Sequence, residues 1–161
     1  MVIFPIPSED FLEIDNLFDK KLSVFAFTFL ALLLGGLSSS NTSDDIWYQE
    51  LTKSSLNPPG YVFGIVWPIL YTLMAVVSFL QAKLIYKVYV VQLILNGAWS
   101  WIFFAHQALT LALFDIIILI ILNVIILHKL WTNNSYVSFF LYLPYVPVSY
   151  THLRAHETST Y

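Results

Sequence analysis

The chain has 161 residues, of which 58% are hydrophobic and only 11% are charged. A soluble domain carries about 25% charged residues, so this composition indicates that lipid is the solvent for most of the chain. The absence of cysteine excludes disulfides and thiolate chemistry, and a formal net charge of −3 without a basic cluster argues against a nucleic-acid-binding protein.

The first 19 residues form a polar N-terminal extension that contains five acidic residues. Apolar residues recur in it at helical spacing, as in a short interfacial helix, but acidic charge is unfavourable beside anionic lipid. The sequence therefore leaves open a short interfacial helix or a loosely docked tail. A signal peptide is not expected, because the basic pair Lys20 and Lys21 comes late.

Five apolar segments follow, and a membrane span needs about 20 residues. The first begins at Lys20 and continues to about residue 40, and the next three cover about 61–82, 85–106 and 108–127. The fifth, 136–150, is short and contains Pro144 and Pro147. The sequence thus predicts an all-α membrane protein, a bundle of five transmembrane helices whose fifth helix is truncated or altered.

The cations predict the orientation of this bundle. With five crossings, one side carries Lys20, Lys21, Lys83, Lys87 and Lys129, and the other carries Lys53 and Arg154. The positive-inside rule then favours a cytoplasmic N-terminus.

The second segment begins at Asn57-Pro58-Pro59-Gly60, which is typical of a helix start. Pro68 cannot donate to the carbonyl of Gly64, so a bend is expected. Phe63, Trp67 and Tyr71 are spaced four residues apart and share about 80° of one helix face. That face is either a ring-lined wall or a helix-packing surface.

The third segment places polar and aromatic residues on one face, namely Gln92, Asn96, Trp99, Phe103 and His106. An amide in the membrane is costly without partners, so Asn96 should face the bundle interior. Its role is either an interhelical hydrogen bond or ligand recognition.

The fourth segment contains Asp115 and, two turns further on, Asn123. A carboxylate in lipid needs a hydrogen-bonding partner or a water-filled cavity. Asp115 therefore has either a structural role, as a buried hydrogen-bonded group, or a role in a proton relay. The four histidines have no metal-ligand spacing on one helix, and the sequence has no nucleotide-binding glycine loop and no nucleophile elbow. No catalytic residue and no metal site are predicted.

An ordered set of positions resembles the TspO/MBR family, that is, the tryptophan-rich sensory protein, translocator protein or peripheral benzodiazepine receptor family. The matching residues are Trp47-Tyr48, Leu51, Asn57-Pro58-Pro59, Phe63, Trp67, Leu70-Tyr71, Leu95-Asn96, Trp99-Ser100, Phe103-Phe104, the Leu-Ala-Leu-Phe-Asp stretch that ends at Asp115, and Leu143-Pro144-Tyr145. The resemblance covers about residues 20–146, with Ser54 standing where the family usually has a proline.

The resemblance implies a five-helix bundle, usually a homodimer, that binds tetrapyrroles such as protoporphyrin or haem and, in some members, sterols and benzodiazepine-type drugs. No cofactor is required, and the tetrapyrrole is the ligand. The pocket of such proteins opens under the first loop. Carried over by position, its wall consists of Tyr48, Phe63, Trp67, Tyr71, Asn96, Trp99 and Ser100, with Trp47 in the lid.

The resemblance divides the chain into the extension 1–19, a transmembrane domain 20–146 and a tail 147–161. The tail departs from the family pattern and ends in the polar sequence THLRAHETSTY, so it is interpreted as non-native. A bacterial cytoplasmic membrane is expected, or the mitochondrial outer membrane in a eukaryote.

The predicted function is a multi-pass membrane receptor or translocator for planar hydrophobic ligands, most of all tetrapyrroles and also sterols. Two alternatives remain open at this point. One is a porphyrin-degrading enzyme, and the other is a structural subunit of a membrane complex in which the polar residues only hold helices together.

Overall fold

The structure is a computed structural model that describes the backbone of residues 8–39, 46 and 60–149 and the side chains of residues 13–38, 46 and 64–149. The described chain forms five α-helices: α1 (Ser8–Ser39), α2 (Gly60–Leu80), α3 (Ala82–Ser100), α4 (Leu109–Thr132) and α5 (Tyr136–Tyr142). A π-helical segment, Trp101–Ala105, extends α3, and residues 145–149 are helical again after a turn at 143–144. The predicted all-α, five-helix class is confirmed.

Three segments are long and apolar enough to cross a membrane, namely Glu13–Ser38, Ala82–Ala105 and Leu109–Thr132. The apolar stretches Gly64–Leu80 and Tyr136–Ser149 are shorter. Large apolar side chains such as Phe25, Phe29 and Ile118 are exposed on the outer helix faces. Such faces are unfavourable in water and favourable in lipid, which agrees with a membrane protein.

Helix α1 begins well before its apolar part. It starts at Ser8 and continues without a break through the acidic extension. The Lys83 Nζ of α3 donates a hydrogen bond of 2.6 Å to the Glu13 carboxylate, and Lys21 Nζ lies 5.2 Å from the ring centroid of Phe79 in α2. The described part of the extension, from Ser8 onward, is therefore a continuation of the first helix.

Polar residues form the corners between the helices. Gln81 alone separates α2 from α3, and its Nε2 donates to Ser138 Oγ on α5 over 3.1 Å. Gln107 and Asn134, which lie in the next two connections, adopt the left-handed φ values of 53° and 57°. This region is costly for most residues but is tolerated by Asn, and the Asn134 side chain accepts a hydrogen bond from the Tyr136 hydroxyl. These short turns join successive helices through a few polar residues.

Helix α3 lies at the centre of the bundle, where it packs against α1 and α4. Helix α2 packs against α1 and α5, and α5 also packs against α4. The larger buried cluster contains side chains from all five helices, among them Val24, Met74, Tyr89, Leu130 and Tyr142. Lipid tails are as apolar as these side chains, so close packing and hydrogen bonds, rather than hydrophobic burial, hold the helices together.

Pro68 does not interrupt α2, which is helical from Gly60 to Leu80. Pro68 and Gly64 are exposed, and Thr72 Oγ1 donates to the Pro68 carbonyl over 2.7 Å. Leu70 and Tyr71 on the same helix are buried. The proline therefore lies on the outer side of α2, and the side chains of Leu70 and Tyr71, two and three residues later, enter the bundle.

Candidate functional site

Asn96 lies inside the bundle, where only 5% of it is exposed. Its Nδ2 donates a hydrogen bond of 2.9 Å to the hydroxyl of Tyr71, which is buried on α2. An amide in the membrane needs such a partner, because an unpaired polar group there costs several kcal/mol. The bond joins α2 to α3 at the level of the predicted pocket.

Trp67 forms an aromatic wall next to this bond. Its half-buried ring lies 5.9 Å from the Tyr71 ring at an interplanar angle of 57°, and 6.4 Å from the Tyr145 ring at 68°. The Tyr145 hydroxyl in turn accepts a hydrogen bond of 3.1 Å from Gln92 Nε2 on α3. We call Trp67, Tyr71, Tyr145, Asn96 and Gln92 the central cluster.

Trp99 packs against a different helix. Its ring stacks on Phe103 with a centroid distance of 5.0 Å and an angle of 14°, and meets Phe104 edge-on at 6.0 Å. The same buried group includes the α4 residues Ala112, Ile116 and Leu119. We call Trp99, Phe103, Phe104 and these three residues the Trp99 cluster. The structure thus brings Trp67, Tyr71 and Asn96 together and places Trp99 in the neighbouring α3–α4 contact.

Ser100 lies where α3 approaches Gly35 of α1. The side chain is half-buried, and its Oγ lies 3.5 Å from the position that a Cβ atom on Gly35 would occupy. Phe63 belongs to α2, but its side chain lies outside the described residues, as do Trp47 and Tyr48. Their predicted roles in the wall and the lid stay predictions.

Several buried polar contacts were not predicted from the sequence. Tyr142 on α5 donates to Asn123 Oδ1 on α4 over 2.8 Å, and the hydroxyls of Tyr89 and Thr28 lie 2.7 Å apart between α3 and α1. The tyrosines in the sequence could have indicated these hydrogen bonds, because a buried Tyr hydroxyl usually has a hydrogen-bond partner. The identity of that partner depends on which helices are neighbours.

Comparison with known proteins decides the family. Residues 24–150 match the TspO/MBR family over most of the chain.

The chain belongs to the TspO/MBR family.

Among its relatives is the tryptophan-rich protein TspO of Bacillus cereus, 30% identical over 136 residues that cover 80% of this chain and 88% of that protein. Protein CrtK of Rhodobacter capsulatus is 31% identical over 135 residues, covering 78% and 84%. The human translocator protein is 37% identical over 82 residues, which cover 45% of this chain and 48% of that protein. The resemblance inferred from the sequence is therefore confirmed, and this TspO/MBR protein is a membrane protein.

This TspO/MBR protein also carries a buried carboxyl outside the predicted site. Asp115 on α4 is 7% exposed, and its Oδ2 has no hydrogen-bond partner among the described residues. In that part of the chain no group of three or more His, Asp and Glu side chains is arranged to hold a metal ion.

Proposed function

We propose that this TspO/MBR protein is an integral membrane receptor or translocator that binds a planar hydrophobic ligand of the tetrapyrrole class. The observation that carries the proposal is the position of the Trp67 ring beside the Asn96–Tyr71 hydrogen bond. A flat apolar molecule is recognised by ring faces, and a small number of polar groups fix its orientation. The central cluster supplies both kinds of group inside the membrane.

The resemblance of this chain to pocket-forming family members supports the same region. Trp99 and Ser100 follow Asn96 within about one turn of α3, and Phe63 precedes Trp67 by about one turn of α2. We propose that these residues extend the ligand wall and that Trp47 and Tyr48 cover it. We further propose that the protein acts as a homodimer, as the family resemblance implies, and that sterols are the second ligand class to be compared.

The direct test is a titration of the purified protein in a non-ionic detergent with protoporphyrin, followed by quenching of tryptophan fluorescence. We expect saturable quenching in the wild type. Trp67→Leu and Asn96→Leu should each weaken binding on the order of fivefold, since an aromatic contact contributes about 1 kcal/mol beyond burial and tenfold in affinity is about 1.4 kcal/mol.

Trp131→Phe is the matched control. Trp131 is exposed near the end of α4, and its ring contacts Tyr136 and Phe139, neither of which belongs to the proposed ligand wall. Its removal changes the number of fluorophores but should leave the dissociation constant unchanged. The proposal fails if the wild type shows no saturable binding. The site assignment fails if the Trp67 and Asn96 variants bind as tightly as Trp131→Phe. Competition by cholesterol with a lower dissociation constant than that of protoporphyrin would identify a sterol as the preferred class.

A further inference from the structure

The carboxyl group of Asp115 is the clearest feature that the proposed tetrapyrrole site does not use. It lies in the second turn of α4, inside the membrane-spanning stretch Leu109–Thr132. The residue is 7% exposed, and no described group donates a hydrogen bond to its Oδ2. An ionisable residue inside a span is costly, and such residues usually serve a ligand or ion site.

The described lysines of α3 and α4 lie far from this carboxyl. Lys129 lies 14 residues further along α4, which is about 21 Å at 1.5 Å per residue. Lys83 and Lys87 lie at the start of α3. Asp115 lies near the start of α4, which follows the end of α3, so almost the whole length of α3 separates the two lysines from it. A cationic group of a ligand can supply the charge that these lysines do not.

Asp115 shares a face of α4 with residues that pack against aromatic rings. Ala112 and Leu119, about one turn before and after Asp115, are members of the Trp99 cluster. The rings of Phe103 and Phe104 are only half-buried and stand perpendicular, 4.9 Å apart. They are carried by the π-helical segment Trp101–Ala105, a local geometry that is frequent at functional sites.

We infer that Asp115 and the rings of Phe103 and Phe104 form a second binding site, which adjoins the proposed tetrapyrrole wall at Trp99 and takes the protonated amine of an apolar molecule. A carboxylate provides the charge-assisted hydrogen bond for an ammonium group, and aromatic faces attract the same cation. The apolar body of the molecule can lie against Leu111 and Phe114, which are exposed apolar side chains on the same two turns of α4. A neutral molecule of the same shape lacks the group that Asp115 recognises.

The test compares two probes that differ only in this group, para-trifluoromethylbenzylamine and para-trifluoromethylbenzyl alcohol. Ligand-observed fluorine NMR gives both affinities for the full chain in dodecyl maltoside, a non-ionic detergent that does not attract the amine, at neutral pH. We expect the wild type to prefer the amine about tenfold, which corresponds to about 1.4 kcal/mol. Asp115→Asn, which keeps the side-chain shape, should reduce this preference to about twofold or less and leave the alcohol affinity unchanged.

Circular dichroism and protoporphyrin titration of Asp115→Asn serve as fold controls, because Asp115 is not part of the tetrapyrrole site. If this variant does not fold, Phe103→Leu replaces it, and the amine should then lose more affinity than the alcohol. Equal affinities of the two probes for the wild type would overturn the proposal. A preference for the amine that persists in Asp115→Asn, or in Phe103→Leu where that variant is used, would overturn it as well.

Discussion

The amide of Asn96 and the hydroxyl of Tyr71 join α3 to α2 through a hydrogen bond of 2.9 Å. Similar contacts recur between the other helices, each with a buried tyrosine as one partner: Gln92–Tyr145, Asn123–Tyr142 and Thr28–Tyr89. Together these four pairs connect α3 to α1, to α2 and to the helical stretch 145–149, and they connect α5 to α4. Because lipid supplies no hydrophobic force between helices, such polar pairs carry a larger share of the specificity of assembly than in a soluble bundle.

Tyr71→Phe should lower the free energy of unfolding by about 1–2 kcal/mol. The substitution keeps the ring but leaves Asn96 Nδ2 buried without its acceptor. Unfolding of the purified protein in mixed micelles of non-ionic detergent and dodecyl sulfate, followed by circular dichroism, measures this change. Tyr136→Phe is the control, because that hydroxyl is bonded to Asn134 at an exposed position and should contribute little. Equal stabilities of the two variants would contradict a structural role for the Tyr71 bond.

Asn123 and Tyr142 should show energetic coupling in a double-mutant cycle. Asn123 is fully buried, donates to the Leu119 carbonyl over 2.7 Å and accepts from Tyr142 over 2.8 Å. Interhelical hydrogen bonds in membranes couple by about 0.6 kcal/mol on average and up to about 1.7 kcal/mol. We expect a value in this range from Asn123→Leu, Tyr142→Phe and the double variant in the same unfolding assay. Strictly additive effects would show that the two side chains do not stabilise one another.

The sequence predicted the inward position of Asn96 because an amide in lipid has few alternatives. Helical spacing likewise placed Trp67 and Tyr71 on one face of α2. The partner helix of Trp99 was not predictable in the same way. A helix face of about 80° is wide enough to meet more than one neighbour. In the structure the α3 face meets α2 at Asn96, the helical stretch 145–149 at Gln92 and α4 at Trp99.

In the fifth segment the two prolines alone did not predict how far helical structure continues. Pro144 falls in the turn at residues 143–144, and Pro147 lies in the first turn of the helical stretch 145–149. The first N–H groups of a helix have no intrahelical acceptor, so a proline there removes no bond. Helical structure therefore continues to residue 149, and Tyr142 and Tyr145 enter the core. The interpretation of residues 147–161 as non-native stays a prediction.

Removing the ion pair between Glu13 and Lys83 should leave the unfolding midpoint unchanged within error. The two side chains lie 2.6 Å apart but are 66% and 79% exposed, and exposed pairs contribute little because water and salt screen them. Lys83→Gln and Glu13→Gln, each measured at low and at physiological salt, provide the check. A salt-sensitive loss of stability in either variant, comparable to that of Tyr71→Phe, would show that the extension is an essential part of the bundle.

Gly35 and Gly36 offer a matched pair for testing the α1–α3 contact. A Cβ atom on Gly35 would lie 3.5 Å from Ser100 Oγ, whereas a Cβ on Gly36 would have no neighbour within 4 Å among the described residues. Both substitutions to leucine improve helix propensity equally, so their difference reports packing. We expect Gly35→Leu to lower the free energy of unfolding by about 1–3 kcal/mol relative to Gly36→Leu, because the larger side chain separates the two helices.

Since Ser100 is part of the proposed ligand wall, protoporphyrin affinity should fall in Gly35→Leu and remain unchanged in Gly36→Leu. The alanine variant Gly35→Ala makes only an ordinary van der Waals contact and should retain both stability and affinity. The unfolding assay and the fluorescence titration give the two quantities on the same preparations. If Gly36→Leu is the more damaging substitution, α1 presents a different face to α3 from the one described, and the wall contributed by Ser100 must be reassigned.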